Sequence, residues 1–150
     1  MPGPEAVAVI PALRVVADPV VLDGALAWAL GARLADLGAR VLRLAPDDLL
    51  VLSPGAGGGV LGALQEEIAG VDHHAILATE AGFAGAWCFA GDVRRWVAAN
   101  ADWLLPAGDG LSQGQVAGLP VKILVDGDDA LVLAPTPIAH ELAPRLEWPA

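Results

Sequence analysis

The sequence predicts an α+β protein built from two pseudo-repeated strand-hairpin-helix halves with mainly antiparallel sheets. Three observations predict this. Short apolar runs are separated by turn residues at close intervals, as hairpin strands are. The segment "DLLVLSP" at Asp48–Pro54 returns as "DALVLAP" at Asp129–Pro135, 81 residues later. The flanks align as well: Asp47 with Asp128, Leu42 with Ile123, Leu44 with Val125 and Leu61 with Leu142. Each copy reads as strand, acidic tight turn, strand, Pro, helix. A tight turn can join only antiparallel neighbours, so the repeat is not a strict βαβ succession.

The elements follow in order. "ALRVVADP" reads as a strand that ends on a helix start, with Asp18 as N-cap and Pro19 as first helical residue. The helix is predicted to run to about Ala35, with Gly38 ending it. Leu22, Leu26, Leu30 and Leu34 form one stripe, while Val21, Ala25 and Trp28 make the opposite side apolar too. A helix apolar nearly all round is covered on both sides, and in so small a domain one cover can be another protein.

"RVLRLAPDDLLVLSP" reads as a hairpin turned at Pro46-Asp47-Asp48, followed by a helix with Leu61, Leu64 and Ile68 inward. "HHAILAT" and "GAWCFAG" read as strands. Asp92 is placed as the cap of a helix "VRRWVAAN", with Val93, Trp96 and Val97 on one face. "LLPAGDGLSQG" reads as a loop, and "QVAGLPVKILVDGDDALVLAP" as three strands with turns at Ala117-Gly118 and Asp126-Gly127. Thr136 and Pro137 open a last helix, which Pro144 is expected to break or kink.

Size and charge restrict function. The 150 residues match one domain, taken as 1–150, and carry a formal net charge of -10. With one Lys and seven Arg and no basic cluster, nucleic acid and anionic membrane surfaces are disfavoured partners. Hydrophobic residues are 55% of the chain and charged residues 17%, more apolar than one small domain needs for its core. The lone cysteine, Cys88, sits in an apolar run and reads as a core thiol. "MPGPEAVAVI" lacks the features of a signal peptide, and the expected compartment is the cytoplasm.

Gly57, Gly59 and Gly62 have the spacing G-x-G-x-x-G, with Glu80 further on. A dinucleotide turn needs a parallel strand reached by a crossover. Here the preceding strand is the second arm of a hairpin, and the other copy makes the same strand-to-helix passage without glycine. The loop reads as a mobile surface loop, and a small nucleotide-binding protein using Gly57–Gly62 stays as a secondary alternative. His73 and His74 are adjacent, which in a strand sends them to opposite faces. His140-Glu141 lacks a second His at i+4 spacing, and Asp126, Asp128 and Asp129 lack the ligand spacing of a calcium loop. Ser53 in "LSPG" is not a nucleophile elbow. The sequence offers no catalytic, cofactor or metal site of its own.

The order of segments resembles the gamma-subunit family of heterotetrameric sarcosine oxidase. The resemblance is carried by "RVLRLAPDDLLVLSP", "VDHHAILATEA", "GAWCFAG", "DVRRWVAANAD", "LPAGDGLSQGQVAGLPVKI" and "DALVLAPTPIAHELAPRLEW", together covering roughly Leu13 to Trp148. It implies the fold of the folate-binding aminomethyltransferase (glycine-cleavage T-protein) domains. It implies a non-catalytic accessory subunit packed on a large flavoprotein subunit of a complex that oxidatively demethylates an N-methyl amino acid. FAD, FMN, NAD and tetrahydrofolate, with zinc, would sit on the partner subunits. A folate-binding or methyl-transferring protein is the first alternative, with Glu80 as its candidate acid. Trp28 and Trp148 are the expected partner-interface residues, while Trp87 and Trp96 are assigned to the core.

Overall fold

A computed structural model gives the structure of the protein and describes residues 7–53 and 58–146. The chain divides into two compact units: Pro11–Glu80, the inserted unit, and Met1–Ile10 with Ala81–Ala150, the split unit.

The inserted unit runs β2 (Ala12–Val16), α1 (Pro19–Ala27), α2 (Ala29–Asp36), β3 (Arg40–Ala45), β4 (Asp48–Leu52), α3 (Gly58–Leu64) with a π-helical turn Gln65–Ala69, and β5 (Ile76–Glu80). Its sheet has the order β3-β4-β2-β5, all antiparallel. This is the β-α-β-β-α-β arrangement known as split βαβ. Leu22, Leu30 and Leu34 from the first two helices and Val60, Leu64 and Ile68 from the third segment cover Val15, Leu49 and Val51 of the sheet.

The split unit begins with β1 (Ala8–Val9) and resumes with β6 (Phe83–Phe89), α4 (Ala90–Asn100), β7 (Gly110–Val116), β8 (Leu119–Asp126) and β9 (Asp129–Pro135). A 3-10 turn, Thr136–Glu141, and α5 (Leu142–Arg145) complete it. Its sheet order is β1-β6-β9-β8-β7. Strand β1 holds the place beside β6 that β5 holds beside β2. The two units thus share one plan, with β7 added to the split unit at the far edge. Val93, Trp96 and Val97 of α4, with Ala139, Leu142 and Leu146, pack on Val121, Ile123, Ala130 and Val132.

Several expectations need correction. The chain is α+β with antiparallel sheets, and both hairpins are present: Leu42 pairs with Leu50, and Val125 with Ala130. The fold, however, is not that of the folate-binding aminomethyltransferase domains. The repeating element is larger than a hairpin and a helix, because each unit also recruits a strand before its first helix and an edge strand antiparallel to it. The two-residue β1 is too short for a sequence signal.

The first helix is not continuous. It breaks at Trp28, whose φ of -121° and ψ of -106° are not helical, and Gly31 passes so near the Leu26 carbonyl that a Cβ would lie 2.4 Å from its oxygen. Asp92 is inside α4, not its cap; the N-cap is Phe89. The Asp92 carboxylate is buried and accepts a hydrogen bond from Arg95. Pro144 does not end the last helix. The change from 3-10 to α geometry comes two residues earlier, at Leu142.

The start of α1 is tied down by two carboxylates. Asp18 Oδ1 accepts from the Val20 N–H at 2.8 Å. Asp72 accepts from the Asp18 N–H at 2.8 Å and the His74 N–H at 2.9 Å. These backbone donors, that of Asp18 first, hold the Asp72 carboxyl below the ordinary range. A depressed folded-state value contributes stability that is present above the unfolded value of about 3.9 and is lost as pH falls through the folded value. The urea midpoint of the wild type should therefore exceed that of Asp72→Ala at pH 5, and the gap should close as pH drops below about 3.9. A gap independent of pH would show that the carboxylate charge is not what holds the turn.

Candidate functional site

The helix-free face of the split unit's sheet carries a cleft, and the strand register explains it. Alternation along β8 sends Val121, Ile123 and Val125 into the core and Pro120, Lys122 and Leu124 to the other face. The β8–β9 ladder ends at the pair Lys122–Leu133. Beyond it, β8 continues only with β7, down to Val116–Leu119, while β9 continues only with β6, up to Phe83–Pro135. The next positions on this face are Pro120 and Pro135, and neither has an N–H to extend a ladder. The opening between the strands is a cavity of about 230 Å³, lined among others by Phe83, Gln113, Gln115, Pro120, Lys122 and Leu133.

One cation faces this apolar opening. Lys122 is the only lysine of a chain with net charge -10. Its Nζ donates to Gln113 Oε1 at 2.6 Å and lies 5.3 Å from the centre of the Phe83 ring. The edge strand that supplies the two glutamines is braced on its other, core-facing side. Trp103 Nε1 donates to the Gln115 carbonyl at 2.9 Å, and the indole lies so close over Gly114 that a Cβ there would meet it at 2.8 Å. The β7–β8 turn uses positive φ at Ala117 (51°) and Gly118 (79°), as a type I′ hairpin requires. An ammonium, two amides and apolar walls can hold a small molecule with a carboxylate at one end and a short apolar tail at the other.

This cleft was not foreseen from the sequence. A signal was available: a single lysine, outward by alternation in an otherwise apolar strand, two residues after a proline.

The residues singled out from the sequence are scattered. Trp28 is 81% exposed on the inserted unit, beside an apolar groove of about 390 Å³ with Val20, Gly24, Ala25 and Val71. Trp148 lies outside the described residues, as does Gly57. Gly59 and Gly62 are within helix α3, and the strand before them, β4, is antiparallel to both neighbours. Trp96 is buried, and Trp87 is half-buried on the helix-free face. Cys88 is buried, with Sγ 3.7 Å from the Ala86 carbonyl oxygen.

Glu80 is no isolated acid in a pocket. It lies 3.6 Å from Arg14, whose guanidinium also makes a two-pronged bond to Asp48 at 2.5 and 2.6 Å. The Asp48 hydrogen bonds raise the Arg14 pKa further. His73 and His74 are both exposed in the turn before β5, rather than in the strand. His140 is exposed in the 3-10 turn, and Asp126, Asp128 and Asp129 are exposed around a hairpin turn. Among the described residues, no three His, Cys, Asp or Glu side chains form a cluster that could hold a metal ion. Among the same residues, no helix is long and apolar enough to cross a membrane.

No family model matches the sequence, and no curated protein matches it. Solved structures do resemble it. Among them is the regulatory subunit of aspartate kinase from Thermus thermophilus in its ligand-free form. The likeness covers 94% of this chain and 93% of that one, at 13% identity and a TM-score of 0.47. No residue role or activity is carried over from so distant a likeness.

These findings correct the family reading. With no matching family or curated protein, and with two sheets of split βαβ order, the sarcosine oxidase gamma-subunit resemblance finds no support, and the folate-related alternative and the flavoprotein partner go with it. Its motifs were hairpins with acidic turns followed by helices, pieces that any split βαβ unit contains.

Proposed function

We propose that this protein is a binding module for a small organic monocarboxylate, held in the cleft between β8 and β9. The observation that carries the reading is the placement of the chain's only lysine at an apolar opening where the sheet parts. In a chain of net charge -10 the overall field repels anions. A carboxylate ligand therefore needs a local cation, and Lys122 supplies it. Gln113, now accepting from Lys122, swings its amide to donate to the same carboxylate. Phe83, Pro120, Leu133 and Pro135 cover the tail, so branched or aromatic acids are favoured over acetate.

Calorimetric titration with isovalerate, 2-oxoisovalerate, L-leucine and phenylacetate tests this. At least one should bind saturably. Lys122→Met keeps the stem and removes the charge. It should weaken binding about 10- to 150-fold, the loss of one charge-assisted hydrogen bond of about 1.5–3 kcal/mol. Its melting temperature should stay within a degree or two of wild type. Absence of saturable binding across the panel, or equal affinity in Lys122→Met, would overturn the proposal.

A further inference from the structure

We infer that the Trp28 face of the inserted unit docks a cationic amphipathic helix of another protein, with its apolar stripe on Trp28 and its Lys or Arg side chains on an acidic rim. Val20, Gly24 and Trp28 follow one another at i, i+4 spacing along this helical segment. Val20 is 77% exposed, Trp28 81% and the neighbouring Val71 66%. The helix already spends its leucine stripe on the core of its own unit, through Leu22 and, past the break, Leu30. Three large apolar side chains this exposed around one groove mark an interaction surface.

The rim selects the partner by charge. Glu67 lines the groove and Glu66 precedes it; the two carboxylates share one cation, Arg33, at 3.3 and 2.8 Å. Asp18 and Asp72 flank Val20 and Val71. Their oxygens accept from backbone N–H groups, which leaves each carboxylate charge in place. Asp23 has a guanidinium of its own, that of Arg43 at 2.5 Å. Five carboxylates therefore stand around the groove against two guanidiniums. A second copy of a chain of net charge -10, or an anionic membrane, is repelled from such a rim, and a cationic partner is drawn to it.

The groove selects the partner's backbone. It runs between α1, continued by Trp28 and Ala29, on one side and Glu67 and Val71 on the other. The N–H and C=O groups along a helix are engaged within it, so this face offers an extended peptide no ladder to join. The occupant must satisfy its own backbone, as a helix does, and an apolar stripe at i, i+3, i+4 spacing fits such a groove. Lys and Arg beside that stripe lay their stems on apolar surface and reach the rim carboxylates with their charged ends. Exposed rim charges are screened by salt, so the association is salt-dependent.

Calorimetric titration of the whole chain with two peptides of about 14 residues, near the length at which isolated helices become stable, tests the inference. One peptide carries Leu at helical spacing and Lys elsewhere; the other has Glu in place of every Lys. The Leu/Lys peptide should bind one to one with Kd on the order of 1–100 µM, and should weaken as salt rises from about 50 to 300 mM. Trp28→Ala should weaken it about 10-fold or more and keep the wild-type melting temperature, since the indole is exposed. Asp18→Asn combined with Glu66→Gln keeps a good N-cap and removes two rim charges; it should weaken binding about 2- to 10-fold at low salt. Equal affinity in Trp28→Ala, equal affinity for the Leu/Glu peptide, or no binding of the Leu/Lys peptide at about 1 mM overturns the inference. So does a wild type that dimerises through Trp28 on its own. None of these results depends on a carboxylate ligand, whose cleft is on the other unit.

Discussion

Replacing Trp96 by Ala is expected to lower the unfolding free energy by about 3–5 kcal/mol. Trp96 is 2% exposed and is the largest fully buried side chain among the described residues. It lies in α4 with Val93 and Val97 on the same face, and the three meet a sheet face of small and branched residues: Ala84, Ala86, Ile123, Ala130 and Val132. Those alanines leave room that only a large ring can fill. Truncation therefore leaves a cavity that the flat sheet cannot close, and the cost includes the void as well as the lost transfer energy. Trp96→Phe retains part of the ring volume and should cost less. Urea denaturation followed by circular dichroism reads both. A loss under about 1 kcal/mol for the alanine variant would mean that α4 is not packed as described.

Gly85→Val is the second severe substitution. Gly85 lies in β6, between β1 and β9, paired with Ala8 on one side and Leu133 on the other. A Cβ there would come within 2.0 Å of the Val132 carbonyl oxygen and 2.9 Å of the Leu133 side chain. The first of these is backbone, which cannot rotate away. To admit the side chain, β6 must part from β9 and break the central ladder of the sheet. Overpacking usually costs 1–3 kcal/mol, and here about 3 kcal/mol or more is expected because a ladder is disrupted as well. Gly85→Ala should show the same sign with a smaller effect. Wild-type stability in Gly85→Val would show that the strand spacing at this point is looser than described.

How much of this could be read from the chain depends on the range of each signal. Local signals were legible. The Asp18-Pro19 helix start, the Ala117-Gly118 turn and the two hairpins arise from neighbouring residues, and the structure has them. Placement that depends on distant strands was not legible. Nothing near Ala8 and Val9 announces a strand, because that strand exists only by pairing with Gly85 and Ala84, some 75 residues later. The break at Trp28 was hidden for a similar reason: the leucine spacing runs through it unchanged, and the close approach of Gly31 to Leu26 appears only in three dimensions.

The candidate cleft was half legible. Its cation and its two prolines can be seen in the sequence. The parting of β8 from β9 cannot, since it depends on where two ladders end. The family resemblance misled because it matched local pieces, and local pieces are what different α+β folds share.

The proposed carboxylate-binding cleft is made by Lys122 and the parted strands. A heteronuclear NMR titration of the labelled chain with isovalerate tests it most directly. Amide shifts should move with saturation at Phe83, Gln113 to Gln115, Val121, Lys122 and Leu133, together with the Gln113 side-chain amide, and Lys122→Met should move the same titration to about 10- to 150-fold higher isovalerate. No shift at high isovalerate concentration, or shifts centred away from these residues and retained in Lys122→Met, would contradict it.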